Sequence, residues 1–338
     1  MLIAKEDRYK MNIVFMGSPD FARESLKALY EAKNNIMAVV TTVDKPKGRG
    51  MKLQPTPVKE YALEKGLKLY QPEQIKNNEE FIQEIRNLNP EVICVVAYGK
   101  ILPKEILDIP KYGCINVHPS LLPQYRGSTP IQTAIINGDS KTGVTTMYMD
   151  EGWDSGDIIL QEKIDIEENQ TAGEIWDVLA VKGANLLVET IKQIGLGVAP
   201  RTKQGENYTV TQKLDKAISK IDWENTSAVQ IKNLSRGLNP IMGIYAILNG
   251  KKIKFWNIDS LTIDEFVSKF TEFANYKKKL EYEVAPGVVI YVDYKEAIYI
   301  KAKDGIIKVN EIQGENAKKM ATTEFLKGNK IEVAETFE

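Results

Sequence analysis

The chain has 338 residues, 43% hydrophobic and 27% charged, enough for one very large domain or two ordinary ones. Its 45 basic and 46 acidic side chains nearly cancel, so no global field argues for a polyanionic partner, although a local basic patch stays open. No run of 18 apolar residues could span a bilayer and the first ten residues lack an apolar signal core; two cysteines, Cys94 and Cys114, sit in apolar runs and read as small buried hydrophobes in a reducing cytoplasm.

In chain order, 12–17 is an apolar strand-like run ended by Gly17-Ser18-Pro19. Apolar spacing at Phe21, Leu26 and Leu29 predicts a helix over 20–30. The glycine invites a dinucleotide reading, but G-x-G-x-x-G is missing and Pro19 simply opens a helix. A second strand is expected over 36–43 and helices over 57–65 and 81–88. The stretch 91–98 is nearly all apolar, as a strand buried on both faces requires. Further strands are expected at 114–118 and 144–149, and helices at 131–136 and 172–194. Alternating strands and helices imply an α/β domain with a mostly parallel sheet, whose sites lie beyond the carboxyl ends of the strands.

Three stretches carry chemistry. The segment 44–59 holds Lys45, Lys47, Arg49, Lys52 and Lys59 against one acid, Asp44, with Gly48 and Gly50 beside Arg49. Such a basic, glycine-hinged loop suits phosphates or an RNA end, and it equally suits a solvated loop. The run 114–127 contains His118, the only histidine, so any imidazole proton chemistry belongs to it. On a strand, Asn116 shares its face, and a neutral amide can donate to a developing oxyanion. The loop 150–157 offers Asp150, Asp154 and Asp157, which sequence physics alone does not separate.

Glycines and Pro200 around 195–202 mark a change of character. Beyond it, a short helix over 227–237 precedes β-branched and aromatic runs at 251–258, 287–294, 297–303 and 305–312. Asn249-Gly250 and Asp304-Gly305 are hairpin signals, and the whole reads as a small β-barrel. Residues 201–338 carry a slight basic excess, 22 Lys and Arg against 19 Asp and Glu.

The pieces FMGSPDFA (15–22), DKPKGRGMKLQPTPVK (44–59), VVAYGKILP (95–103), GCINVHPSLLPQYRGSTPIQTAI (113–135), TGVTTMYMDEGWDSGDI (142–158), IDW (221–223) and RGLNP (236–240) resemble the folate-dependent formyltransferases, in order, from Met11 to about Gln313. The basic loop and the RGLNP segment point to the members that act on methionyl-tRNA. The resemblance implies a Rossmann-like sheet (11–197), a linker (198–212) and an OB-like tRNA-binding barrel (213–338), with 1–10 as an N-terminal extension. It implies transfer of a formyl group from 10-formyltetrahydrofolate to the α-amino group of initiator methionyl-tRNA, by a cytoplasmic monomer without a metal or a membrane partner. Asn116, His118 and Asp154 would be catalytic, Ser120, Leu121, Leu122 and Pro123 would contact folate, and Arg49 with Lys45, Lys47 and Lys52 would reach the tRNA. Neither cysteine has the setting of a catalytic thiol, and no covalent intermediate is expected.

Overall fold

A computed structural model describes residues 10–47 and 51–338. The chain divides into two compact units, one of residues 10–130, 141–165 and 175–212, the other of 131–140, 166–174 and 213–338. Among the described residues no helix is long and apolar enough to cross a membrane.

Up to residue 212 the elements are β1 (Asn12–Gly17), α1 (Asp20–Glu31), β2 (Asn35–Val40), β3 (Lys45–Lys47), β4 (Lys52–Gln54), α2 (Pro57–Glu64), β5 (Leu69–Tyr70), α3 (Glu79–Asn87), β6 (Val92–Val96), α4 (Lys104–Leu107), β7 (Cys114–His118), β8 (Arg126–Gly127), α5 (Pro130–Ile136), β9 (Lys141–Tyr148), β10 (Ile158–Asp165), α6 (Ala172–Leu196) and β11 (Val210–Thr211). Seven of the strands form one sheet, in the order β10-β9-β7-β6-β1-β2-β5. β6 is buried at every residue and β1 at all but its first, which is why both read as unbroken apolar runs. From β7 to β5 the pairs are parallel, and β9 and β10 close the other edge antiparallel. The sequence reading missed β10. Its alternating burial leaves one face wet, so its apolar signal is half that of the central strands.

Gly17 has a packing reason to be glycine. A Cβ there would sit 2.6 Å from Ala22 Cβ and 2.8 Å from Val96 O, so the start of α1 can press against the β1 end only without a side chain. The two cysteines are buried in β6 and β7, and burial raises both thiols, that of Cys114 to about 12.

The second unit holds α7 (Ala228–Leu238), β12 (Ile244–Leu248), β13 (Lys251–Leu261), α8 (Ile263–Lys269), α9 (Lys277–Tyr282), β14 (Val289–Val292), β15 (Ile298–Lys301), β16 (Ile306–Gln313), β17 (Met320–Ala321) and α10 (Thr322–Leu326). Its antiparallel sheet runs β12-β13-β16-β15-β14, with β17 on β16, an open barrel-like arrangement. Asn249 and Gly250 turn β12 into β13, both with positive φ (51° and 74°), as a tight hairpin requires. β13 pairs with β16 through two register shifts near Asn257, irregularities of the kind that bend a long strand. α8 and α9, absent from the sequence reading, interrupt the barrel with an aromatic cluster of their own: Phe266, Phe270 and Tyr299 have ring centroids 5.0–5.6 Å apart.

Candidate active site

The site forms at the ends of β6 and β7, and the loop after the antiparallel β9, which ends beside Ile115, reaches it from the other end of β7. Period-two alternation on β7 buries Val117 on one face and turns Asn116 and His118 to the other, where both line a cavity of about 590 Å³. The loop after β6 supplies one wall with Tyr98, Lys100 and Ile101. It turns sharply through Ala97 and Gly99, both at positive φ. The loop after β9 supplies another with Met149 and 150–154. Phe21 and Trp176, edge to face at 5.1 Å, add an aromatic surface. Trp153, 72% exposed, stands in the lining as well. Among the described residues the Asn116 carboxamide has no hydrogen-bond partner, so its donors are free toward the cavity.

His118 is buried and held at both ring nitrogens. Nε2 lies 2.9 Å from Tyr125 O. A carbonyl only accepts, so Nε2 carries a hydrogen, and the network fixes the tautomer. Nδ1 is turned to Asp154 Oδ2 at 3.6 Å, ion-pair range. The same Oδ2 accepts the Gly127 N–H at 2.8 Å. Asp154 has φ +48°, a sparsely populated conformation for a residue with a Cβ.

The other two aspartates have different partners. Asp150 accepts from Gly152 N (3.0 Å) and Ser155 Oγ (2.9 Å) and ties the loop to itself. Asp157 accepts from Arg201 Nε at 2.6 Å, and Arg201 stacks on Tyr148 at 4.4 Å. Only Asp154 of the three faces the histidine.

The stretch Ser120 to Pro123 lies outside the cavity lining, unlike its neighbour Pro119. Ser120 is fully buried, its hydroxyl donating to Gln124 O at 2.6 Å, and Leu122 is buried too, while Leu121 and Pro123 are half-buried. Thr145 joins this stretch to β9: its hydroxyl donates to Ser120 O (2.6 Å) and accepts from Leu122 N (3.2 Å) and Gln161 Nε2 (2.9 Å). Lys45 and Lys52 are exposed on the β3–β4 pair, and Lys47 ends β3. Arg49 lies outside the described residues. Lys59, part of the same basic stretch, pairs with Asp44 at 2.7 Å, and Gln71 donates to the same carboxylate, which pulls Asp44 below the ordinary carboxylate range.

One set of residues escaped sequence reasoning, 202–211, whereas Tyr98 stands at a strand end where the sequence already expects the site. Tyr98 lines the cavity with its hydroxyl buried and, among the described residues, unpartnered; burial pushes that hydroxyl up to about 12. Residues 202–211, read as part of a linker, are hydrogen-bonded along β8. Arg126 N donates to Thr209 O (2.9 Å), Tyr125 N to Thr209 Oγ1 (2.8 Å), and β11 pairs with β8. Gln204 donates to Asp154 O and Gly156 O, both at 2.8 Å, and accepts from Arg126 Nε at 2.9 Å. A polar stretch without periodicity gives no signal for any of these bonds.

Residues 11–191 match the formyl transferase family model and 213–330 the model of the formyl transferase C-terminal domain, which is the class that this sheet and site define. The methionyl-tRNA formyltransferase of Caldanaerobacter subterraneus subsp. tengcongensis is 46% identical over 322 residues, 95% of this chain and 98% of that protein. That of Halothermothrix orenii is 48% identical over 323 residues, with the same shares of 95% and 98%. The crystal structure of the N-formyltransferase from Helicobacter canadensis, in complex with folinic acid and dTDP-3-aminofucose, shares the fold, with a TM-score of 0.61 over 90% of this chain and 99% of that one at 21% identity. The chain belongs to the methionyl-tRNA formyltransferase family.

Proposed function

We propose that the protein transfers the formyl group of 10-formyltetrahydrofolate to the α-amino group of methionine on initiator tRNA. The observation that carries this reading is one cavity holding a free amide donor, Asn116, beside a histidine paired with a carboxylate, in a chain nearly half identical to methionyl-tRNA formyltransferases over its length. The cavity's volume and its mixed apolar and polar walls suit a flat heteroaromatic donor.

The amine's lone pair adds to the formyl carbon, and the carbonyl oxygen takes the negative charge. Asn116 donates to that oxygen. Collapse breaks the bond from the formyl carbon to N10 of the folate and leaves the new amide. One proton must leave the amine and one must reach N10. His118 faces Asp154 and, when protonated, stabilises the oxyanion and hands its Nδ1 proton to N10. Asp154 holds the imidazole and draws off the amine's proton. An imidazole suits this because its ordinary pKa, about 6.5, lies near working pH. Ser120 to Pro123 then supports the folate from behind the cavity wall through the Thr145 bonds. Lys45, Lys47, Arg49 and Lys52 meet tRNA phosphates near the acceptor end.

The test is a transfer assay with the purified full chain and 10-formyltetrahydrofolate, offering methionine-charged initiator tRNA, glycinamide ribonucleotide or a sugar nucleotide amine. Formyl transfer to the charged tRNA alone supports the reading; transfer to a small amine, or to nothing, overturns it.

A further inference from the structure

We propose that Gln204 is a positioning residue of the site: as the anchor of a strap, residues 202–211, it fixes the Asp154 loop in front of His118. This rests on the reading of His118 and Asp154 as the reacting pair. From 201 to 210 every residue is exposed except Gln204. Its carboxamide is fully used, both N–H groups on the carbonyls of Asp154 and Gly156 and its oxygen on Arg126 Nε. Arg126 is itself held from the strap, with its guanidinium 4.3 Å from the Tyr208 ring centroid.

Asp154 needs such a hold. Its φ of +48° is disfavoured for a side chain with a Cβ, and its carboxylate has one backbone bond, from Gly127. Gly127 belongs to β8, which pairs with the end of the same strap. The strap also reaches the histidine. Thr209 Oγ1 takes the Tyr125 N–H, Tyr125 stands at φ +60°, and Tyr125 O receives His118 Nε2–H. Both partners of the 3.6 Å pair therefore depend on two residues five apart along one segment, Gln204 for Asp154 and Thr209 for His118. Gln204 itself is not in the cavity lining, so it acts through Asp154 rather than on substrate.

Gln204→Glu keeps the shape and the Arg126 contact but sets a carboxylate oxygen against two carbonyl oxygens. The expected result is a kcat lower by roughly 10- to 100-fold, the cost of a small misplacement of a reacting group. Both KM values should stay within about twofold. Added to Asp154→Asn, the change should cost little more, because both remove one function. His118 is the only histidine, so ¹⁵N-labelled histidine gives one set of ring signals to titrate. Its titration should move in Gln204→Ala, which adds no charge, in the same direction as in Asp154→Asn. If Gln204→Glu fails to fold, Gln204→Ala carries the same kinetic expectations. Wild-type kcat in the folded Gln204 variants, full additivity with Asp154→Asn, or an unmoved His118 titration overturns the proposal. Asp154→Asn at wild-type kcat overturns the catalytic pair with it, whereas a slow Asp154→Asn beside a wild-type Gln204→Ala removes the strap's role alone.

Discussion

Three aspartates share one loop, and their partners divide them. Asp150 closes the loop on Ser155, Asp157 pairs with Arg201 near the surface, and Asp154 alone faces an imidazole. Asp154→Asn should therefore slow formyl transfer by roughly 100-fold or more with little change in thermal midpoint, the scale on which losing a charged partner of the reacting group acts. Asp157→Asn removes an ion pair whose Arg201 is exposed and whose Asp157 is half-buried, worth about 1 kcal/mol, and should leave kcat within a few fold. Steady-state kinetics on the two variants side by side check both. The sequence could not make this choice, because all three acids lie in one loop and only the fold of that loop decides which turns inward. It could single out Asn116 and His118, since a two-residue spacing on a strand puts both side chains on one face whatever the rest of the chain does.

At the scale of elements, β7 is legible because it is short, apolar and central, while β10 and β12 alternate wet and dry and leave a weaker trace. The strap 202–211 leaves none, since its bonds come from backbone groups and a single glutamine. Thr145 on β9 is a hub that sequence could not show. Thr145→Val strands Ser120 O and Leu122 N, while Gln161 Nε2 keeps its bond to Leu122 O. Urea titration should find it destabilised by roughly 1–3 kcal/mol, the cost of orphaning buried polar groups. In the barrel unit, Lys269 and Lys308 donate to Glu296 and hold its carboxyl down from the ordinary 4.5 to about 2. A depressed acid contributes stability that is complete above its ordinary pKa and fades as the pH falls toward the depressed value. Glu296→Gln should thus cost more stability at pH 7 than at about pH 3, where the carboxyl is already mostly protonated in the unfolded chain but still largely ionised in the folded one. Equal penalties at both pH values would assign the loss to packing instead.

Across the whole molecule, the division into an α/β half and a barrel half followed from a change of period, with near-continuous apolar runs giving way after about residue 212 to β-rich segments and Asn-Gly turns. The insertion α8–α9 did not follow, because its aromatic residues read equally well as strand. Arg49 carries the prediction at this scale. Arg49→Ala should raise the KM for methionyl-tRNA about tenfold, one charge-assisted contact's worth, and leave that for the folate unchanged; if both rise together, the loop serves the fold and not the tRNA.

The central claim is that Asn116, without a hydrogen-bond partner among the described residues, holds the oxyanion of formyl transfer at the cavity wall. The most direct measurement is the single-turnover rate of transfer to methionyl-tRNA, with both substrates bound at saturation, in the wild type and in Asn116→Ala. The account predicts a rate lower by roughly 100-fold or more at unchanged affinity for either substrate. A rate within a few fold of wild type would contradict it and leave Asn116 as a wall of the cavity only.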